Sequence, residues 1–110
     1  MMFFALDALG PSFDLNDWRA SLAARRMLVR SMVAEAVGGG RQLEVMIEEI
    51  KRAVRYDMMS DQDQNSFRVM AYNARTIVGG WSKISPHERD AFLSGKTPYS
   101  SVAKLVKERS

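Results

Sequence analysis

The chain has 110 residues, no cysteine, 16 basic and 13 acidic side chains, and a net charge of +3. That length supports one domain and one hydrophobic core. The lack of cysteine excludes disulfides, zinc-thiolate sites and thiol catalysis, and it fits a reducing, cytoplasmic setting.

Residues 1–13 are apolar, with Met1, Met2, Phe3, Phe4, Leu6 and Leu9 broken by Asp7. The segment lacks a basic leader, and nothing in the chain approaches the roughly 18 apolar residues of a membrane span. No membrane association is expected. The segment either docks on the core or serves a partner contact, because exposed Phe3 and Phe4 would form an apolar patch.

A first helix is expected over about residues 15–37, capped by Asp14 or Asn16. Leu15, Trp18, Leu22, Val29, Met32, Val33 and Ala36 follow helical spacing. Arg25, Arg26 and Arg30 interrupt the pattern and belong at the stripe's margins, their stems covering apolar surface. Gly38, Gly39 and Gly40 end the helix and permit a reversal.

A second helix is expected over about residues 41–56, with Leu43, Met46, Ile47, Ile50, Ala53 and Val54 on one face. Glu48 and Arg52 stand four apart on the other, in the favourable order for an ion pair. The third helix begins at Ser60, with Asp61 and Asp63 in its electropositive first turn. Phe67, Met70, Ala71, Ala74, Ile77 and Val78 form its apolar face, and Gly79-Gly80 stops it. Trp81 can pack back across that stop. The eight methionines suit gap-filling in a helical core.

Two further helix starts stand twelve residues apart, at Ser85-Pro86 and Thr97-Pro98. A capping hydroxyl followed by proline satisfies one orphan amide and dispenses with another. Short helices are expected over about residues 86–94 and 98–109, separated by Gly95. The three main helices at about 15–78 and this terminal pair make an all-α fold, a compact bundle of about five helices in one domain spanning 1–110.

Candidate chemistry reduces to local structure. Asp61, Asp63 and Asn65 imitate the opening of a calcium loop. Ser66 and Tyr72 stand where the loop needs glycine and glutamate, so the segment reads as a helix start. His87 is the only histidine and cannot build an ordinary metal site alone. Ser85, His87 and Asp90 lie within one turn and lack triad geometry, whereas Ser85 and Glu88 have capping-box spacing. The triple glycine before Arg41 lacks the remaining phosphate-loop residues and reads as a reversal. Neither catalysis nor a cofactor or metal is expected.

Charge concentrates at the C-terminal end. Residues 1–80 are balanced, while residues 81–110 hold Lys83, Arg89, Lys96, Lys104, Lys107 and Arg109 against Glu88, Asp90 and Glu108. That excess equals the whole net charge, and a localised positive field attracts phosphate backbones or acidic partners. With Ala91 in the first helix, Gly95 in the turn, and Val102 and Leu105 in the second helix, the segment resembles a helix-turn-helix reader. Val102 and Leu105 come one residue late for the usual spacing, which a turn lengthened by one residue would repair.

Two functions follow as expectations. In the first, the chain is a small DNA-binding regulatory or accessory protein acting as a dimer. Lys96, Lys104, Lys107 and Arg109 would neutralise phosphates, and Ser100 and Ser101 would make short polar contacts. In the second, it is a protein-binding module such as an inhibitor, antiactivator or assembly subunit. Phe3, Phe4 and Trp18 would then be its partner anchors.

Overall fold

A computed structural model describes residues 17–110; the anchors Phe3 and Phe4 lie outside the described residues. Five α-helices follow one another: α1 (Leu22–Gly38), α2 (Leu43–Ala53), α3 (Asp61–Gly79), α4 (Pro86–Leu93) and α5 (Tyr99–Glu108). Short 3-10 turns occupy Asp17–Arg19, Tyr56–Met58 and Trp81–Lys83. The described residues include no strand, and no helix among them is long and apolar enough to cross a membrane.

The first helix starts later than its apolar spacing suggests. Ser21 is extended at φ −118° and ψ 119°, and its hydroxyl accepts from the Ala24 amide at 3.1 Å. A cap of this kind separates Trp18 from the helix that follows. Trp18 sits in the preceding 3-10 turn, while Leu22 falls off the apolar face and is 50% exposed. The Arg25 guanidinium ties the turn to α1 by donating to the Trp18 and Arg19 carbonyls, at 2.6 and 2.9 Å.

The α2 helix is also shorter than its pattern. It stops at Ala53 because Arg55 adopts a left-handed conformation, φ 56° and ψ 57°. The expected Glu48–Arg52 pair does not form. The Glu44 carboxylate instead accepts two hydrogen bonds from Arg75 on α3, at 2.7 and 2.8 Å. These bonds hold the Glu44 carboxyl below its ordinary range.

The α3 helix is the central element, packing most extensively against α5 and α1. Ser60 caps it as expected, accepting from the Asp63 amide at 3.2 Å. Its face of Phe67, Met70, Ala71, Ala74 and Ile77 is buried, with Val78 only partly covered. Phe67 meets Trp18 and Tyr56 edge-on, with ring centroids 5.9 and 5.6 Å apart. Such arrangements match the positive ring edge to the negative ring face. Met32, Met46 and Met70 fill the core, whereas Met58 is 81% exposed.

The turn after α3 depends on Gly80. A Cβ there would collide with Val106 Cγ1, so only glycine lets α5 approach this closely. Trp81 follows and packs edge-on against Phe92 of α4, centroids 6.3 Å apart.

Candidate nucleic-acid interface

The local chemistry of α4 agrees with its sequence. The Ser85 hydroxyl accepts from the Glu88 amide at 3.2 Å, and Glu88 accepts from the Ser85 amide at 2.9 Å. This reciprocal capping box occupies Ser85, so no triad forms with His87, which is exposed on the first turn. Among the described residues, no group of three or more histidine and acidic side chains is placed to hold a metal ion.

The second start differs from expectation. Pro98 is extended at ψ 156° and occupies the N-cap itself, so Tyr99 opens α5 and Thr97 lies one position too early to cap it. Instead, the Lys96 and Thr97 amides donate to the Ala91 carbonyl at 2.9 and 3.1 Å, closing the end of α4. Among the described residues no side chain caps α5, so its first amides form a positive helix end.

The inner face of α5 is Tyr99, Val102, Ala103 and Val106, with Leu105 partly covered. Lys96, Ser100, Ser101, Lys104 and Lys107 are all exposed. Lys96 and Lys104 have no carboxylate partner among the described residues. The Lys107 ammonium stands 4.4 Å from the centre of the Tyr72 ring on α3. A cation over an aromatic face is steadied but remains charged.

Arg109 does not belong with these lysines. Its guanidinium is held by both Glu88 oxygens at 2.7 and 2.8 Å, and it also donates to the Lys83 carbonyl at 2.9 Å. The arginine fork matches a carboxylate bidentately, so its charge is already paired at the surface of the fold. Arg89 is likewise committed, donating twice to the Trp81 carbonyl.

Trp18 also departs from its expected role. Its side chain is 0% exposed and part of the core, so it presents nothing to a partner. Its indole nitrogen finds no acceptor among the described residues.

The tertiary fold adds basic groups that counting along the chain misses. The Arg30 guanidinium of α1 lies over Gly95 in the α4–α5 turn, 3.1 Å from the position a Cβ would take. Gly95 has φ +87°, so it combines a left-handed turn with room for this side chain. Arg25 and Arg26 stand close enough to Tyr99 for their charges to act on it. Burial pushes the Tyr99 phenol above its ordinary range, and the two arginines oppose that shift. Arg26 and Arg30 have no carboxylate partner among the described residues. The sequence signal was present in the three arginines that break the apolar stripe, but their neighbours were not.

Arg30 and Arg26 of α1 thus stand beside the α4–α5 turn, which carries Lys96, and the start of α5, with Lys104 about one turn further along that helix. Such a surface can hold phosphate oxygens through point charges, hydroxyls and backbone amides. No family model, curated protein or solved structure matches this chain.

Proposed function

We propose that this protein is a non-enzymatic DNA-binding protein with a regulatory or accessory role. It would contact the phosphate backbone through α5, the α4–α5 turn and the adjoining arginines of α1. The supporting observation is the Arg30 guanidinium over Gly95, which joins α1's unpaired cations to those around α5. Lys96, Lys104, Lys107, Arg26 and Arg30 neutralise phosphates in this reading, and Ser100 and Ser101 supply short hydrogen-bonding groups. In this reading α4 and α5 would act as a helix-turn-helix reader with α5 at a groove, and a dimer would present two such helices to paired half-sites.

A salt titration tests the proposal. Binding to random duplex DNA is measured at low and moderate salt for the native chain, for Lys104→Ala/Lys107→Ala and for Arg26→Ala/Arg30→Ala. Backbone binding weakens steeply with salt, and each lost phosphate contact flattens the logarithmic slope by about 0.9. Both variants are expected to show shallower slopes. Absence of binding at low salt, or slopes unchanged in both variants, overturns the proposal.

A further inference from the structure

A second surface lies between α2 and α3, lined by neither Arg26, Arg30, Lys96 nor Lys104, though Lys107 stands over its Tyr72 wall. These helices are clasped at one end by Glu44 and Arg75 and meet little along their length. Between them runs an open-sided groove of about 360 Å³. Its floor is Ile47, Phe67 and Ala71, and its walls carry Tyr56 and Tyr72. Through Lys51 and Tyr56 it joins a neighbouring depression of about 530 Å³, lined also by Arg52, Arg55 and Met58.

The lips are cationic. Lys51, Arg52, Arg55 and Arg68 stand there against Glu48 and Asp57, with Arg75 already paired to Glu44. Arg68 donates to the Tyr56 hydroxyl at 2.6 Å, and the Lys51 ammonium stands 4.7 Å from the Tyr56 ring centre, so the ring holds two cations at the opening.

Backbone strain occurs at the same place. Arg55 is the only non-glycine residue with positive φ among the described residues. Glycine would accept this conformation without cost and is the usual occupant of such a position after a helix. An arginine there exchanges stability for a cation at the groove's edge, and strain of this kind accompanies binding sites. The exposed Met58 beside it is an adaptable apolar contact.

We propose that this groove docks an acidic amphipathic helix of a partner protein. Apolar side chains on one face of that helix would cover Ile47, Phe67 and Ala71. Its carboxylates would meet Lys51, Arg52, Arg55 and Arg68. Charge complementarity selects this occupant: an apolar floor between cationic lips is the counterpart of an apolar stripe flanked by acids. A small ligand suits an enclosing pocket better than this open-sided one.

The probe is a fluorescein-labelled synthetic helix with leucines along one face and glutamates on the other, followed by anisotropy. Saturable binding is expected at physiological salt. Binding should be lost when the leucines become serines or the glutamates become lysines. Lys51→Glu/Arg55→Gly should weaken it about tenfold, since each rim charge contributes a few-fold. Arg55→Gly alone should weaken it a few-fold while leaving the fold at least as stable, which separates lost docking from lost structure. Methyl shifts should centre on Ile47 and Ala71. No saturable binding, or binding indifferent to both groove variants, overturns the proposal. So does displacement of the peptide by duplex DNA whose own affinity falls in the same variants, which would assign the groove to nucleic acid. The DNA-binding proposal stands or falls separately, because its Arg26→Ala/Arg30→Ala variant changes no residue that lines the groove.

Discussion

The Arg109 guanidinium grips the Glu88 carboxylate through two parallel hydrogen bonds of 2.7 and 2.8 Å. It thereby fastens the C-cap of α5 to the first turn of α4. Arg109, followed by the Ser85 amide, holds the Glu88 carboxyl down to about 2 from an ordinary value of 4.5. A depressed acid stabilises the fold fully above its unfolded value, and the contribution fades as pH falls toward the folded one. Glu88→Gln should therefore be less stable than the native chain above pH 4.5, with the difference closing toward pH 2. Urea unfolding of both proteins across that range checks the sign, and a difference that widens on acidification would contradict it.

The same pair separates structural from ligand-directed charge. Arg109→Ala should lower the melting temperature while leaving the salt slope of DNA binding unchanged, because its charge is already neutralised. Lys104→Ala should do the reverse. Thermal unfolding and DNA titration on the two variants would expose an exchange of these roles.

Gly80 sets the distance between α3 and α5. Gly80→Ala drives a methyl group into Val106 and should cost about 1–3 kcal/mol, the usual range for overpacking. Adding Val106→Ala removes the collision and should make the double variant more stable than the separate losses predict. Denaturant melts of the two single variants and the double variant measure that coupling.

Arg55→Gly should raise stability by about 0.5–1 kcal/mol, because relief of the left-handed strain exceeds the added freedom of the unfolded chain. A fall in denaturation midpoint would show that contacts of the arginine side chain outweigh its backbone strain.

Trp18→Ala should cost about 3–5 kcal/mol, as expected when a fully buried aromatic is truncated. Unfolding monitored by circular dichroism measures this directly. Loss of partner binding in that variant would then report lost structure rather than a lost anchor.

Helix faces were legible where apolar spacing was regular and turn residues were decisive. The stripe from Phe67 to Ile77, the Ser60 cap and the Ser85–Glu88 capping box depend on residues within a turn or two of one another, so local spacing suffices to find them. The misplaced start of α1 came from reading Trp18 and Leu22 as one stripe, when the Ser21 cap divides them. Thr97 failed as a cap because proline fixes only φ, leaving Pro98 free to take an extended ψ. The Arg109 ion pair is invisible in the sequence because charge along a chain carries no information about a carboxylate 21 residues away.

By itself, the sequence determined an all-helical chain, most of its buried faces, and an excess of positive charge at its C-terminal end. Those properties follow from side-chain period, capping chemistry and composition, all of which act locally. Only the tertiary structure decided which cations are neutralised, which stand together, and where two helices leave a groove. Arg30 reaches Gly95 across 65 residues of sequence, while Arg109 vanishes into an ion pair. Electrostatic interactions depend on distance through space, and packing brings remote charges into one field.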